Sequence, residues 1–365
     1  MEICVPGRTE LAGNHTDHQG GHVLAAAIDL QIRGHAECNG AEIVKLISSG
    51  FSEIKVNLEQ LTAGFSNTGS ADALTRGVLE YLSREGWKIG GFTGELCSEI
   101  PAGAGLSSSA AFSVWVGRAV SLLFNHGSIP PMTIAFAAQY AENTHFGKPC
   151  GLMDQCACAF GGVTAMRFKE SVPAVRRIPV DLKRLGYDLC VVQTGGNHTD
   201  LTQDYACITS EMKAVAEAFG QTRLSEVSED AFFTIIPELR RSLGDRAVLR
   251  AMHYFAEDRR VQEMARYLEQ GDMTSYLAGM DDSGRSSAEF LQNSFSPPDP
   301  IHQGISLALA ISRRTLDGCG AARVHGGGFA GTIQAMMPAD RTAAYRAAME
   351  SVFGEGCCMN LRFYS

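Results

Sequence analysis

The segment GRTELAGNHTDHQGG, Gly7 to Gly21, crowds Arg8, Glu10, Asn14, His15, Thr16, Asp17 and His18 into eleven positions between glycines. So many short donors and acceptors suit either a metal ion or a ligand covered in hydroxyls. A second segment, IPAGAGLSSSAAF over residues 100–112, turns through Gly103, Ala104, Gly105 and Leu106 and opens a helix with Ser107, Ser108 and Ser109. The unpaired N–H groups and positive dipole of a helix start favour an anion there, phosphate above all; the same residues also make an ordinary glycine turn with a serine cap. No G-x-x-x-x-G-K-S/T occurs, which excludes a Walker-type loop. In GKPCGLMDQCACAFGG, residues 147–162, Asp154 lies among Cys150, Leu152, Met153 and Cys156. An unpaired carboxylate there would be costly, so the acid is either paired or placed for chemistry. Glu142, on a helix expected over Thr133 to His145, could share a magnesium ion with phosphate oxygens or simply face solvent. Finally, VHGGGFAGTI, residues 324–333, satisfies G-x-G-x-x-G at Gly326, Gly328 and Gly331. A strand-like stretch follows it, not a helix, so the dinucleotide reading fails and the glycines read as points of close backbone approach.

Positioning these residues requires regular elements, and strand-like and helix-like patterns alternate along the chain. Val23 to Arg33, Glu42 to Ile47 and Ile54 to Leu58 read as strands. Ser70 caps ADALTRGVLEYLSREG, with Gly86 as its stop. The strand IGGFTGELCSEI leads to SSAAFSVWVGRAVSLLFN, a helix apolar on most sides, and Thr133 is expected to cap the next. GGVTAMRF and YDLCVVQT read as strands flanking ESVPAVRRIPVDLKRLG, a polar connection that holds the domain boundary, dividing the chain into 1–178 and 179–365. Beyond it, helices are expected over Tyr205 to Phe219, Arg246 to Gln270, Gly304 to Leu316 and Arg341 to Phe353, with strands ARV and GTIQAMM between the last two. The class is mixed α and β, without the regular alternation of a barrel.

The 365 residues suit two domains of ordinary size. A net charge of −9 argues against nucleic acid as a partner. MEICVPGR lacks a secretory apolar core, and no run of eighteen apolar residues points to a membrane. The 11 cysteines match no zinc spacing and read as reduced, mostly buried residues of a cytoplasmic protein.

Taken in order, the four segments resemble those of the GHMP kinase superfamily, and within it most closely the galactokinases. PGRTELAGNHTDHQGG is similar to the galactokinase signature, IPAGAGLSSSAA to the phosphate loop, KPCGLMDQ to the segment of the catalytic aspartate, and VHGGGFAG to the C-terminal glycine motif. The resemblance implies an α+β fold, with an N-terminal domain of the ribosomal-protein-S5 type and a C-terminal ferredoxin-like domain around the active site. It implies transfer of the ATP γ-phosphoryl group to the anomeric hydroxyl of a hexose, galactose first, with Mg2+. By position, Asp154 becomes the base and Arg8 its cationic neighbour. Asn14, His15, Asp17, Gly151 and Tyr205 become sugar contacts. Gly103 through Ser109 become the nucleotide cradle, and Ser109 with Glu142 the magnesium site. The expected partners are sugar and ATP alone, on a monomer. The HTD segment and Tyr205 in NHTDLTQDYA favour a sugar over mevalonate or homoserine.

Two departures qualify the resemblance. Galactokinases usually carry glutamate where this chain has Asn14, at the sugar's 6-hydroxyl, so a negative charge is expected to be gone there. A C6 carboxylate facing glutamate would meet repulsion of about 4 kcal/mol at about 4 Å and an effective dielectric of about 20. DHQGG is also similar to plant galacturonic acid kinases, which makes a uronate or another C6-altered sugar the alternative substrate. Five residues precede Pro6, where the family carries an extra helix and strand. A catalytically silent sugar sensor is the alternative of another class, but such regulators lose residues from the serine loop, which is complete here.

Overall fold

The computed structural model describes residues 1–48, 52–62, 68–101, 103–148, 150–195 and 201–364. Ala102, Pro149 and the NHTD stretch at 197–200 therefore lie outside the described residues. The first sheet comprises β1 (Glu2–Ala12), β2 (His22–Cys38), β3 (Ile43–Ser48), β4 (Ile54–Asn57), β5 (Phe92–Ser98), β6 (Val163–Arg167) and β7 (Ala174–Ile178). Its strands run in the order β4-β3-β5-β2-β6-β7, with β1 also paired to β2. The second comprises β8 (Tyr187–Gln193), β9 (Ala321–His325), β10 (Thr332–Pro338) and β11 (Cys358–Leu361), in the order β11-β8-β10-β9. The architecture is α+β, with helices packed on both sheets.

β2 is the spine of the first sheet. Its start pairs with β6 and its end with β5, while β1 runs antiparallel along its other edge. The β1 register shifts between Pro6 and Arg8 and again between Glu10 and Ala12. Such irregularities re-aim side chains, and these two flank Arg8 and the start of the histidine-rich loop. Against this sheet lies the helix Ser108–Phe124, anchored by fully buried Trp115, whose indole N–H donates to Ile3 O at 3.2 Å. Gly34 and Gly94 make room for that ring: a Cβ at Gly94 would stand 2.8 Å from Trp115 Cη2. Seating this helix fixes where its N-terminus points.

Several expectations are corrected. Ala174–Ile178, read as part of a polar connection, forms β7 on β6; it is a short edge strand with mostly solvent-facing residues between prolines, so no apolar alternation marks it. The helix expected from a Thr133 cap starts at Pro131, the first-turn position proline prefers. It is α-helical to Tyr140 and widens into a π-turn over Ala141–Phe146 that contains Glu142. Helices Glu229–Thr234, Ile236–Leu243 and Met273–Ser286 were not anticipated. Of the cysteines, Cys156, Cys158, Cys190, Cys357 and Cys358 are buried, whereas Cys38 and Cys97 are exposed and the other four lie between, so they are not mostly buried.

Candidate active site

Arg8 and Asp154 come from distant parts of the chain and meet as a fork. Arg8 Nε donates to Asp154 Oδ1 at 2.8 Å and Nη2 to Oδ2 at 2.7 Å, while Nη1 donates to Gly105 O at 2.6 Å. Asp154 stands in the first turn of helix Met153–Phe160. Ser107 Oγ adds a third bond, donating to Asp154 Oδ2 at 2.5 Å. Burial alone would push the Asp154 carboxyl up, but Arg8 and Ser107 hold it below the ordinary carboxylate value. A third of the aspartate side chain remains open, against 7% of the arginine. The carboxylate is thus ionised, oriented and accessible.

Ser107 precedes the helix start in a left-handed conformation, φ 60° and ψ 49°, and makes no side-chain cap. A non-glycine residue held there costs about 1–3 kcal/mol, and its hydroxyl goes to Asp154 instead of the helix. The first helical N–H groups therefore lack that side-chain acceptor. In the preceding turn exposed Gly103 and Gly105 alternate with buried Ala104 and Leu106, so the apolar residues pin the loop and the glycines present backbone outward. Both glycines have positive φ, 74° and 69°. Ser109 Oγ, in the first turn of the helix, donates to Glu142 Oε1 at 2.7 Å. This partly buried pair of oxygens beside an anion cradle fits a hard divalent cation. Among the described residues no group of three or more His, Cys, Asp or Glu could hold a metal alone.

Near Asp154 lies the loop that follows β1. The Gly151 backbone presses on Asp17: a Cβ there would stand 1.8 Å from Asp17 Oδ2. Asp17 Oδ1 accepts from His18 N at 2.8 Å, and burial pushes its carboxyl up. Three successive carbonyls of the C-terminal glycine segment then meet this loop and its neighbours. Asn14 Nδ2 donates to Gly326 O at 2.6 Å, His15 Nε2 to Gly327 O at 3.0 Å, and Tyr205 OH to Gly328 O at 3.2 Å. Here the glycines do permit close approach, since a Cβ at Gly327 would stand 2.3 Å from Tyr205 Cε1. Burial and neighbouring His18 push the His15 ring down to about 4, so it is neutral near pH 7.

The resemblance implies Asn14 at the sugar, and the structure ties it inward. Its second amide bond runs to Glu10 Oε1 at 3.1 Å, its Oδ1 accepts from Asn293 Nδ2 at 2.7 Å, and it is 1% exposed. A carboxyl group stands one hydrogen bond away: Glu10 is buried, which pushes its carboxyl up, and is paired with Arg323 at 2.7 Å. Sequence reasoning singled out neither Arg323 nor Asn293, and gave Glu10 no role of its own. Glu10 was in view inside the opening cluster, but the partners lie about 280 to 310 positions away and carry no motif.

A profile of the GHMP kinases N terminal domain matches residues 73–162, and one of the galactokinase galactose-binding signature matches residues 2–36. The chain is 30% identical over 355 residues to a galactokinase of Streptomyces coelicolor, covering 96% of this chain and 88% of that one. It is 33% identical over 287 residues to a galactokinase of Pyrococcus furiosus, covering 75% and 73%. Its fold is similar to that of Lactococcus lactis galactokinase complexed with galactose, with a TM-score of 0.86 at 24% identity over 100% of this chain and 93% of that one. Methanococcus jannaschii mevalonate kinase shares the fold more distantly, with a TM-score of 0.66 at 16% identity over 100% and 98%. With the signature on the histidine-rich loop, the superfamily profile across the serine loop and Asp154, and such identity along nearly the whole chain, the protein belongs to the galactokinase family of the GHMP kinases.

Proposed function

We propose that this chain phosphorylates galactose from ATP, at the anomeric hydroxyl, in the cleft between residues 1–178 and 179–365. The Arg8–Asp154–Ser107 cluster carries the reading: an accessible, ionised carboxylate shares a corner with the start of a helix suited to phosphate. Asp154 receives the sugar hydroxyl and orients its oxygen. Because Arg8 and Ser107 keep the carboxylate strongly ionised, it is a weak base, and its first task is alignment. Proton transfer then follows the loss of charge from the attacking oxygen as the new bond forms. Arg8, held between Asp154 and Gly105 O, also steadies charge on the moving phosphoryl group. The loop from Gly103 to Ser108 holds the phosphates through backbone N–H groups. Ser109 and Glu142 would hold Mg2+, which supplies charge neutralisation on the phosphate oxygens. His15, Asp17 and Tyr205 face the sugar, with neutral His15 offering hydrogen bonds in place of charge.

ADP release measured with galactose and galacturonate side by side tests the reading. Galactose-dependent release with a preference for galactose beyond about a hundredfold removes the uronate alternative, and no release with either sugar refutes the kinase assignment.

A further inference from the structure

His15 and Asp17, two of the residues read above as facing the sugar, ride on the loop from Gly13 to Gly21, and both ends of that loop rest on one helix, Asp245–Gln270. At its entry the Gly13 N–H donates to Glu257 Oε1 at 2.9 Å, and the Asn14 carbonyl accepts from His253 Nε2 at 2.9 Å. His253 and Glu257 are one helical turn apart and share a face. Just past its exit, the His22 N–H donates to Asp258 Oδ1 at 2.7 Å, and His22 Nδ1 lies 2.9 Å from the same oxygen. The ends also touch each other: a Cβ on Gly13, at φ +98°, would stand 2.6 Å from His22 O.

The anchors are themselves fixed. With Nε2 donating to Asn14, His253 Nδ1 is left as an acceptor, and Ser286 Oγ donates to it at 2.8 Å. Glu257 Oε1 also accepts from Ser283 Oγ at 2.7 Å, and its other oxygen pairs with Arg260. Glu257, His253 and Ser283 are all fully buried. Burying an ionised carboxylate is expensive, and apolar packing of the same volume often stabilises a fold as well or better. A charge-assisted bond to a backbone amide, by contrast, fixes a loop in one place.

We propose that Glu257 and His253, with Asp258 at the exit, are positioning residues for the sugar, holding the loop so that His15 and Asp17 stand in place before substrate arrives. This rests on reading His15 and Asp17 as sugar contacts. None of the three anchors touches substrate. They act through the backbone of Gly13, Asn14 and His22, so their loss should weaken sugar recognition and leave the nucleotide side, built on the serine loop, untouched.

The test compares Glu257→Ala, Glu257→Gln and Asp258→Ala with the parent protein, reading KM for galactose, KM for ATP, kcat and amide hydrogen exchange at Gly13 and His22. Glu257→Ala is expected to raise the galactose KM at least about tenfold, to leave the ATP KM within about twofold, and to speed exchange at Gly13. Glu257→Gln keeps an oxygen for the Gly13 amide and should recover most of the loss. Asp258 is partly exposed, so Asp258→Ala should fold whatever Glu257→Ala does; it should raise the galactose KM at least about threefold and speed exchange at His22. An unchanged galactose KM in Asp258→Ala or in folded Glu257→Ala overturns the proposal, even if exchange quickens, and so does an equal rise in both KM values. If the parent protein shows no galactose-dependent turnover, the substrate reading fails instead, and exchange at the two amides still reports whether the anchors hold the loop.

Discussion

Replacing Gly151 with alanine separates activity from stability in this protein. Gly151 has no positive φ, so alanine suits its backbone, and the one close obstacle is the Asp17 carboxylate, whose Oδ2 would lie 1.8 Å from the new Cβ. Ordinary van der Waals contact begins at about 3.4 Å, so the carboxylate must retreat by roughly 1.6 Å. It is the end of a short, partly buried side chain, and rotating it away sacrifices chiefly the bond from His18 N. The expected cost in stability is about 1 kcal/mol, the net worth of such a bond. The cost in catalysis is larger, because misplacing a positioning group by about 1 Å loses on the order of a hundredfold, or about 2.7 kcal/mol of transition-state stabilisation. Steady-state rates with galactose and ATP varied in turn, alongside urea unfolding, measure both. A kcat/KM for galactose reduced about a hundredfold, with ATP KM and unfolding midpoint near the parent values, is the expected result. Unchanged galactose kinetics would refute the placement of Asp17 at the sugar, and a collapsed midpoint would refute the claim that the retreat is cheap.

Asp154→Asn should lower turnover by about a thousandfold while leaving ATP binding, followed by calorimetry, nearly intact. Ser107→Ala removes one of the bonds holding the Asp154 carboxyl down, so the acid limb of the pH–rate profile should move to higher pH, and an unmoved limb would detach Ser107 from the base. Glu142→Gln should raise the Mg2+ concentration for half-maximal rate severalfold at unchanged galactose KM, and chelation with EDTA should abolish turnover reversibly. Burial and nearby Arg8 hold the His325 ring down at about 3. Unfolded histidine takes its proton near pH 6.5, so below that pH the unfolded chain binds more protons and stability falls until the folded ring titrates. The loss should reach roughly 3 kcal/mol between pH 6.5 and 4, and urea midpoints of His325→Asn should fall less steeply over that range.

Local patterns and short motifs carried much of this molecule into view. The serine cap of helix Ala71–Arg84, the apolar helix Ser108–Phe124, three strands of the second sheet (β8, β9 and β10, though not β11) and the glycine-rich turns were legible because capping, periodicity and left-handed glycines are written in neighbouring residues. Asp154 stood out as an acid in apolar company, and the resemblance assigned it Arg8 as a neighbour. Other features depended on contacts that no local pattern encodes. Ser107 read equally as a phosphate ligand or a helix cap until Asp154 was seen to take its hydroxyl. Asn14 read as a lost charge until Glu10, four residues earlier along an irregular strand, turned its carboxylate back toward the same amide. The anchors at positions 253, 257 and 258 lie on a helix whose sequence signals only a helix. A spacing can specify what a residue is able to do, but a buried charge is fixed by whichever partners the packed chain brings within hydrogen-bond reach, and here they arrive from up to about 310 residues away.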